Sequence, residues 1–428
     1  MIKVIILAYD YPPLPSAGAQ RPYSWQLYLA DNNIYPVVVT RHWNQDSGGA
    51  AGFVRPTTEQ NVVISSDERS LVIKVPHKPN IRDRMLLSLG EDRWVMMRKI
   101  LSFLLSFLRF FSLRFDNTKG IYKAAERYIK SNDCDLIIAT GEPFILFKHA
   151  KTLSARFKIP YILDYRDGWT TGLDLQVNRR WYNSFSRPIF RKLEILYLKK
   201  ASFVTVASET YINHIQKLRP DLRIAEVLNG YFEDSFSNIP EKRKECLTIT
   251  YSGKLYQFQP IEAFLGVLKE SMKTEQFPAV TIKWLGGLDD AEISNRIKKF
   301  ITEPGINIEL LARQGYEEYA ATLTSSDILL LLGDDIGGWV NAKLYDYLAA
   351  RRNILLFRSD RNIMEKIISD CKAGYICQDE SELQDILRLV FKEFREHGQL
   401  TCTTQGYERF SREKQVRKLA DIISKCVE

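Results

Sequence analysis

The chain has 428 residues, 45% of them hydrophobic and 26% charged, enough for a sizeable core and for two or three domains. Aromatics at 12%, ordinary Gly and Pro and no visible repeat period exclude disorder, collagen and coiled coil. Sixty Lys and Arg against 52 Asp and Glu leave a net charge of +8, a mild excess whose meaning depends on where it sits. The six Cys show no C-x-x-C spacing, so a disulfide framework and a zinc knuckle are not expected and a reducing compartment is.

Met1 leads straight into IKVIILAYDYPP, a first strand and its loop without a charged region or cleavage site, so no secretory signal is expected. Strands are predicted at Lys3–Ala8, Tyr35–Thr40, Asn61–Ile64, Asp135–Ala139, Tyr161–Leu163 and Phe203–Ala207. Helix-length segments at Arg21–Asn32, Lys119–Ser131 and Phe144–Ala155 separate several of them. This alternation predicts an α/β domain with a mostly parallel sheet, whose ligands bind beyond the carboxyl ends of the strands. Two loops lie there. Pro15–Arg21 carries Gly18, where the backbone can approach an anion at a helix start, although a plain tight turn reads equally well. It is not G-x-G-x-x-G, so NAD has no support. Asp164–Trp169 (DYRDGW) sets three charges in four residues at a strand exit, either to position a polar substrate or as a surface loop.

The apolar stretch Ile100–Phe115 contains Arg109 and Arg114 and is shorter than the roughly 20 apolar residues that span a bilayer. Arg98, Ser102, Ser106, Arg109 and Ser112 form one narrow polar stripe on a wide greasy body. From Arg93 to Phe115 there are basic residues and no acid. The pattern fits a helix lying in a membrane interface with snorkelling basic side chains, the alternative being a helix buried in the first domain or at a dimer contact.

A charged break at Pro240–Glu245 places a domain boundary near 235–245. The pattern then restarts. Strands are predicted at Leu247–Tyr251, Val280–Leu285, Ile306–Leu310, Ile328–Leu332 and Asn353–Phe357, and helices at Pro260–Ser271, Glu317–Ser325 and Ala342–Ala350. Ser252–Gly253–Lys254 follows a strand and carries a cation to where phosphates would sit. Gly337–Lys343 precedes a helix on which Lys343 and Asp346 share a face, Asp346 being suited to accept two hydrogen bonds from vicinal hydroxyls. A surface Lys–Asp pair is the plainer reading.

These residues together resemble the retaining glycosyltransferases of family 4 over nearly the whole chain. The points of likeness are YPP…GAQR, IPYILDYRDGWT, ASFVTVASE, LNGYFEDSF, YSGKLY, GGWVNAKLYDYLAA before NILLF, and ERFSREKQVRKLADII. The resemblance implies an α/β GT-B fold of two facing Rossmann-like domains with a central cleft. Its parts are an acceptor-side domain over 1–235 with a lipid-facing segment at about 82–115, a nucleotide-sugar-binding domain over 246–405, and a helix over 406–428 that crosses back. It implies that Gly253 and Lys254 meet the donor diphosphate, that Gly337 and Gly338 lie beside the donor sugar and phosphates, and that Asp346 binds the ribose. Gly18, with its neighbours Ala19 and Arg21, would close over the diphosphate and acceptor. Arg166 or Asp167 falls near the place of a family histidine close to the donor sugar, with Asp167 a rival base to the leaving phosphate.

The sequence departs from the family pattern at Gly338, where a first glutamate is expected, and at Gln259, where a second cation is expected; Arg21, Lys343 or Arg313 are its possible substitutes. The implied activity is transfer of a sugar, a UDP-sugar first among candidates, to a glycan or polyprenyl-diphosphate-linked glycan for surface polysaccharide. It would take place at the cytoplasmic face of the membrane, with no cofactor beyond the donor. A binding-impaired scaffold and a nucleotide-sugar epimerase are the alternatives. No metal is implied, since none of His42, His77, His149, His214 and His397 pairs with another at ligand spacing. Nucleic acid is not expected, for want of a basic-aromatic groove pattern.

Overall fold

The computed structural model describes all residues except 46–48, 171–180, 237–245, 289–295, 298–299, 302 and 334–339, and the side chains of 49, 50 and 181–185. Two compact units result: Met1–Asn229 with Glu413–Glu428, and Gly230–Arg412. The first therefore ends short of 235, and residues 406–412 belong with the second.

In the first unit, strands β1 (Ile2–Leu7), β2 (Ile34–Arg41), β3 (Val63–Ser66), β4 (Leu71–Val75), β5 (Leu136–Gly141), β6 (Tyr161–Tyr165), β7 (Phe203–Val206) and β8 (Ile224–Glu226) form one sheet. Their order is β3-β4-β2-β1-β5-β6-β7-β8, parallel throughout except for β3 against β4. Helices α1 (Ala17–Tyr28), α2 (Gly49–Val54), α3 (Ile81–Leu89), α4 (Val95–Leu108), α5 (Lys119–Ser131), α6 (Ile145–Phe157), α7 (Trp181–Leu198) and α8 (Thr210–Leu218) lie between the strands. β1, β5 and β6 are apolar runs because a central parallel strand is buried on both faces.

The second unit has strands β9 (Leu247–Ser252), β10 (Val280–Leu285), β11 (Ile306–Leu311), β12 (Ile328–Leu332), β13 (Asn353–Phe357) and β14 (Gly374–Cys377), all parallel, in the order β11-β10-β9-β12-β13-β14. Its described helices are α9 (Ile261–Thr274), α10 (Tyr316–Thr324), α11 (Lys343–Ala349), α12 (Ile363–Asp370) and α13 (Glu380–His397). Helix α14 (Arg412–Val427) then leaves the second unit and buries Val416, Leu419, Ala420 and Ile423 in the core of the first.

The strand orders fix where ligands belong. In the first unit the chain builds outward from β1 and then reverses to β5; in the second it reverses between β9 and β12. At such a switch point the neighbouring loops leave the sheet in opposite directions and open a crevice beyond the carboxyl ends. The loops concerned are 8–16 and 142–144 in one unit and 253–260 in the other.

Where the chain passes into the second unit, Gly230 takes a left-handed φ of +68°, and a Cβ there would lie 2.5 Å from the Phe410 carbonyl oxygen. That close approach lets Tyr231 pair with Ser411, its amide donating to Phe410 and its carbonyl accepting from Arg412.

Candidate functional site

In the first unit the site is built on one arginine. Ser16 caps α1, its hydroxyl accepting from the Ala19 amide at 3.1 Å, which brings Gly18 into the first turn. From the end of β6, Arg166 crosses directly over Gly18. Its Nη1 donates to Asp10 of the β1 loop at 2.8 Å and its Nε to Asp167 at 2.9 Å. Burial disfavours the guanidinium charge, but Asp167 and Asp10 outweigh it and hold the group above the usual arginine range. Asp167 itself keeps about half its side-chain surface open (49%), so it remains free to meet a ligand. Glu142, on the turn after β5, completes the group. Its carboxyl is pushed up by the protein around it and by Asp167, against the pull of Arg166 and Arg109. Its side chain reaches solvent.

Arg21 and Ala19 are not available to an anion. Ala19 is fully buried and its amide is used by the Ser16 cap. Arg21 is 1% exposed and grips Asp164 with two nitrogens, at 2.9 and 2.6 Å. Its third nitrogen donates to the Leu228 carbonyl and to Asn229. Asp164 accepts two further bonds, from Thr140 and Thr205. Arg21 is thus a strut inside the unit, and the charge facing outward at Gly18 is Arg166.

In the second unit, Gly253 ends β9 with φ +84°, a conformation that favours glycine. Lys254 follows it and is exposed, its Nζ 5.7 Å from the Tyr256 ring centre. Gln259, where a second cation was expected, is 1% exposed and structural. It accepts from the Tyr251 hydroxyl and the Tyr256 amide and donates to the Leu332 carbonyl, bracing the loop against β12. Of the proposed substitutes, Lys343 is the one at the loop: its Nζ lies 3.9 Å from where a Gly253 Cβ would stand. Arg313 is exposed at the end of β11 and packs toward Gly286.

Lys343 and Asp346 share α11, as expected, but Asp346 turns to other partners. It accepts from Tyr316 at 2.5 Å and from Tyr319 at 3.4 Å, both on α10. The Tyr316 hydroxyl in turn accepts from the Phe232 amide at 3.3 Å, in the segment that opens the unit. Each Asp346 oxygen is held in one orientation and keeps acceptor capacity for a ligand hydroxyl. Gly337 and Gly338 lie outside the described residues.

Burial raises the Asp346 carboxyl to about 6, although Tyr316, Arg412 and Tyr319 all favour its charged form. A carboxyl held above its unfolded value of about 3.9 adds no penalty below pH ~4 and a growing one as the pH rises toward 6. Asp346→Asn should therefore stabilise the chain at pH 7.5, by about 1 kcal/mol once partial exposure is discounted, and leave it unchanged at pH 4. Thermal melts at the two pH values check this; equal destabilisation at both would contradict it.

The greasy segment packs with its polar side inward. Arg98 is buried and donates to the carbonyls of Arg93 and Glu91, while Ser102 and Ser106 bond to backbone of the same helix. Arg109 is half-buried; burial lowers its hold on the proton, against the opposing pull of Glu142 and Asp116. Neither Arg98 nor Arg109 snorkels outward as the sequence pattern suggested. Phe110 anchors the segment by stacking on Trp169 at 5.7 Å and Tyr197 at 6.4 Å. The opposite face leaves Trp94, Met96, Ile100, Leu104 and Phe111 exposed, with Arg93, Lys99 and Arg114 exposed nearby in sequence. Among the described residues no helix is long and apolar enough to cross a membrane.

Sequence inspection passed over Asp10, Glu142, Tyr316 and Tyr319. Asp10 and Glu142 each sit just past a predicted strand, and that position at a switch point is the signal that marks them.

No family model matches the chain, and no curated protein matches it in sequence. Solved structures match it over its whole length. A glycosyltransferase from Rickettsia africae superposes with a TM-score of 0.57 at 12% identity, covering 100% of this chain and 99% of that one. A UDP-forming α,α-trehalose-phosphate synthase from Burkholderia vietnamiensis gives 0.58 at 10% identity, with the same coverage. WaaG, a glycosyltransferase involved in lipopolysaccharide biosynthesis, gives 0.55 at 14% identity, covering 98% of this chain and 99% of its own. The chain has this architecture, the GT-B fold of two Rossmann-like units.

Proposed function

We propose that the chain is a retaining glycosyltransferase of the family 4 type, which moves a sugar from a nucleotide-sugar donor to a glycan or polyprenyl-diphosphate-linked acceptor in surface polysaccharide synthesis. The observation that carries this reading is the set of groups at the β9 switch point. A glycine with left-handed φ lies between two lysines, and one helical turn along α11 a carboxylate is held by two tyrosines. A nucleoside diphosphate offers the matching pair of features, two phosphates and a vicinal diol. The UDP-forming synthase that shares the fold supports the same class of substrate.

In this reading Lys254 meets the charge that develops on the leaving diphosphate as the glycosidic bond loosens; such preorganised charge is usually the largest catalytic contribution. Asp346 holds the ribose. In the first unit Arg166, fixed by Asp10 and Asp167, orients the reacting groups, and Asp167 is the carboxylate open to an acceptor hydroxyl. The leaving phosphate takes the acceptor proton on the front-face route, so no enzymic nucleophile is required. Gln259 braces the loop, and in this reading Lys343, beside Gly253, takes the part of the cation absent there.

Calorimetry with UDP-, GDP- and dTDP-sugars, followed by linkage analysis of the product, tests the function. Lys254→Ala should lower kcat/KM for the donor about a hundredfold with an unchanged melting temperature. An unchanged kcat/KM would remove Lys254 from the phosphate site, and an inverted product would remove the family assignment.

The outward apolar face of α4 supports a peripheral place on the cytoplasmic side of the membrane, where a lipid-linked acceptor resides. Single buried side chains of this size contribute about 1.5–3 kcal/mol each on leaving water. Ile100→Ser with Leu104→Ser should therefore abolish co-sedimentation with anionic vesicles while leaving thermal stability intact. Sedimentation of the double variant equal to wild type would discard the lipid role of this helix.

A further inference from the structure

The most unusual charge in the second unit is the Lys343 amine. It donates to the Ser252 carbonyl and lies 3.7 Å from the Tyr251 ring centre, with Gly253 beside it. No carboxylate pairs with it among the described residues; Asp346, one turn along the same helix, faces Tyr316 and Tyr319 instead. Among the described residues, its positive charge therefore faces only a carbonyl and an aromatic ring. A half-buried cation in that state is expensive, and a half-buried neutral amine is not.

We propose that Lys343 is the group that receives the donor's diphosphate against Gly253, and that it gains its charge only as the anion arrives, by taking one proton from solvent. The ligand in this proposal rests on the transferase reading above. Three features carry it. The amine lies beside the one glycine of the loop, 3.9 Å from where a Gly253 Cβ would stand. The position where a permanent cation was expected, Gln259, is sealed inside the unit. And an anion supplies a counter-charge that none of the described residues gives this amine.

The neighbouring groups leave Lys343 as the one that changes charge. Burial alone lowers its amine to about 7. Tyr251 on β9, Tyr316 and Tyr319 on α10 and Tyr347 on α11 are all pushed up, chiefly by burial, and stay neutral at pH 8. Asp346, at about 6, is already ionised there. Lys254 and Arg313, the nearby cations, are exposed. At pH 8 a diphosphate has no proton left to lose, so uptake on binding reports on the protein.

The experiment is calorimetry of the full chain with UDP, GDP, dTDP and ADP at pH 8, in HEPES and in Tris, whose ionisation heats differ. For the nucleotide that binds, the difference between buffers should correspond to nearly one proton taken up per molecule bound. Lys343→Arg keeps a cation that is always charged, so it should bind without uptake. Lys343→Met should bind at least tenfold more weakly and also without uptake. Equal heats in the two buffers for wild type, or uptake that persists in Lys343→Arg, would overturn the proposal while leaving the transferase reading in place. Binding of none of the four nucleotides would overturn the transferase reading, and the proposal with it.

Discussion

In the proposed transferase, Gly18→Ala should cost about a hundredfold in kcat/KM while the chain still folds. The added methyl would stand 1.6 Å from Nη1 of Arg166 and 2.6 Å from the Asp10 carboxylate. Both contacts are far ends of side chains, and Gly18 takes no left-handed φ, so the helix accepts alanine and the arginine moves. Its hydrogen bonds to Asp10 and Asp167 are then lost or redirected, and a displacement of about 1 Å in a positioning group can cost on the order of a hundredfold. The mechanism makes a further demand. If Gly18 matters because Arg166 crosses it, Gly18→Ala combined with Arg166→Ala should be no worse than Arg166→Ala alone, since residues acting through one another are not additive. Losses that multiply would mean that Gly18 meets the ligand with its own backbone, as the sequence suggested.

This reassigns the reason for a glycine, and it shows where a sequence stops being legible. The sheets were readable because their central strands are buried on both faces and appear as apolar runs: KVIIL, LIIAT, ILLLL, NILLF. Strands β4, β8 and β14 went unread. β4, LVIKV, is as apolar as KVIIL and was open to the same reading; β8, by contrast, is three residues long and β14 opens on Gly374. Pairing with a neighbour, which no local pattern announces, makes β8 and β14 strands. The same limit applies to the site. Arg166 and Asp346 stand out as charges next to predicted elements. Asp10 is 156 residues from the arginine it holds, and Tyr316 is 30 from the carboxylate it orients. Such partners are chosen by strand order. The polar stripe of α4 was readable as a stripe, but periodicity cannot say which side faces the protein. The stripe finds its carbonyl partners locally: Arg98 in the loop at Glu91–Arg93, Ser102 and Ser106 on their own helix.

Arg21→Met should destabilise the first unit by about 3–5 kcal/mol, the cost of breaking a buried ion pair and leaving one charge behind. The abandoned charge is Asp164, 0% exposed on β6, which would retain the Thr140 and Thr205 hydroxyls but lose both guanidinium bonds. The effect should reach further, because Arg21 also holds Leu228 and Asn229, the last residues before the chain leaves the unit. The Leu228 amide donates to Gln415 on α14, so the departing and returning chains meet at the segment this arginine pins. For a unit of this size, 3–5 kcal/mol corresponds to a drop of roughly 10 °C in melting temperature. Adding Asp164→Leu should restore part of the loss, because replacing both members of a buried pair by apolar groups of similar size is far milder than removing one. The result that would restore an anion-binding Arg21 is equally definite: a variant that melts like wild type but no longer binds nucleotide sugar. A fully buried guanidinium with every nitrogen engaged inside its own unit predicts the opposite, lost stability with binding unaffected in whatever fraction stays folded.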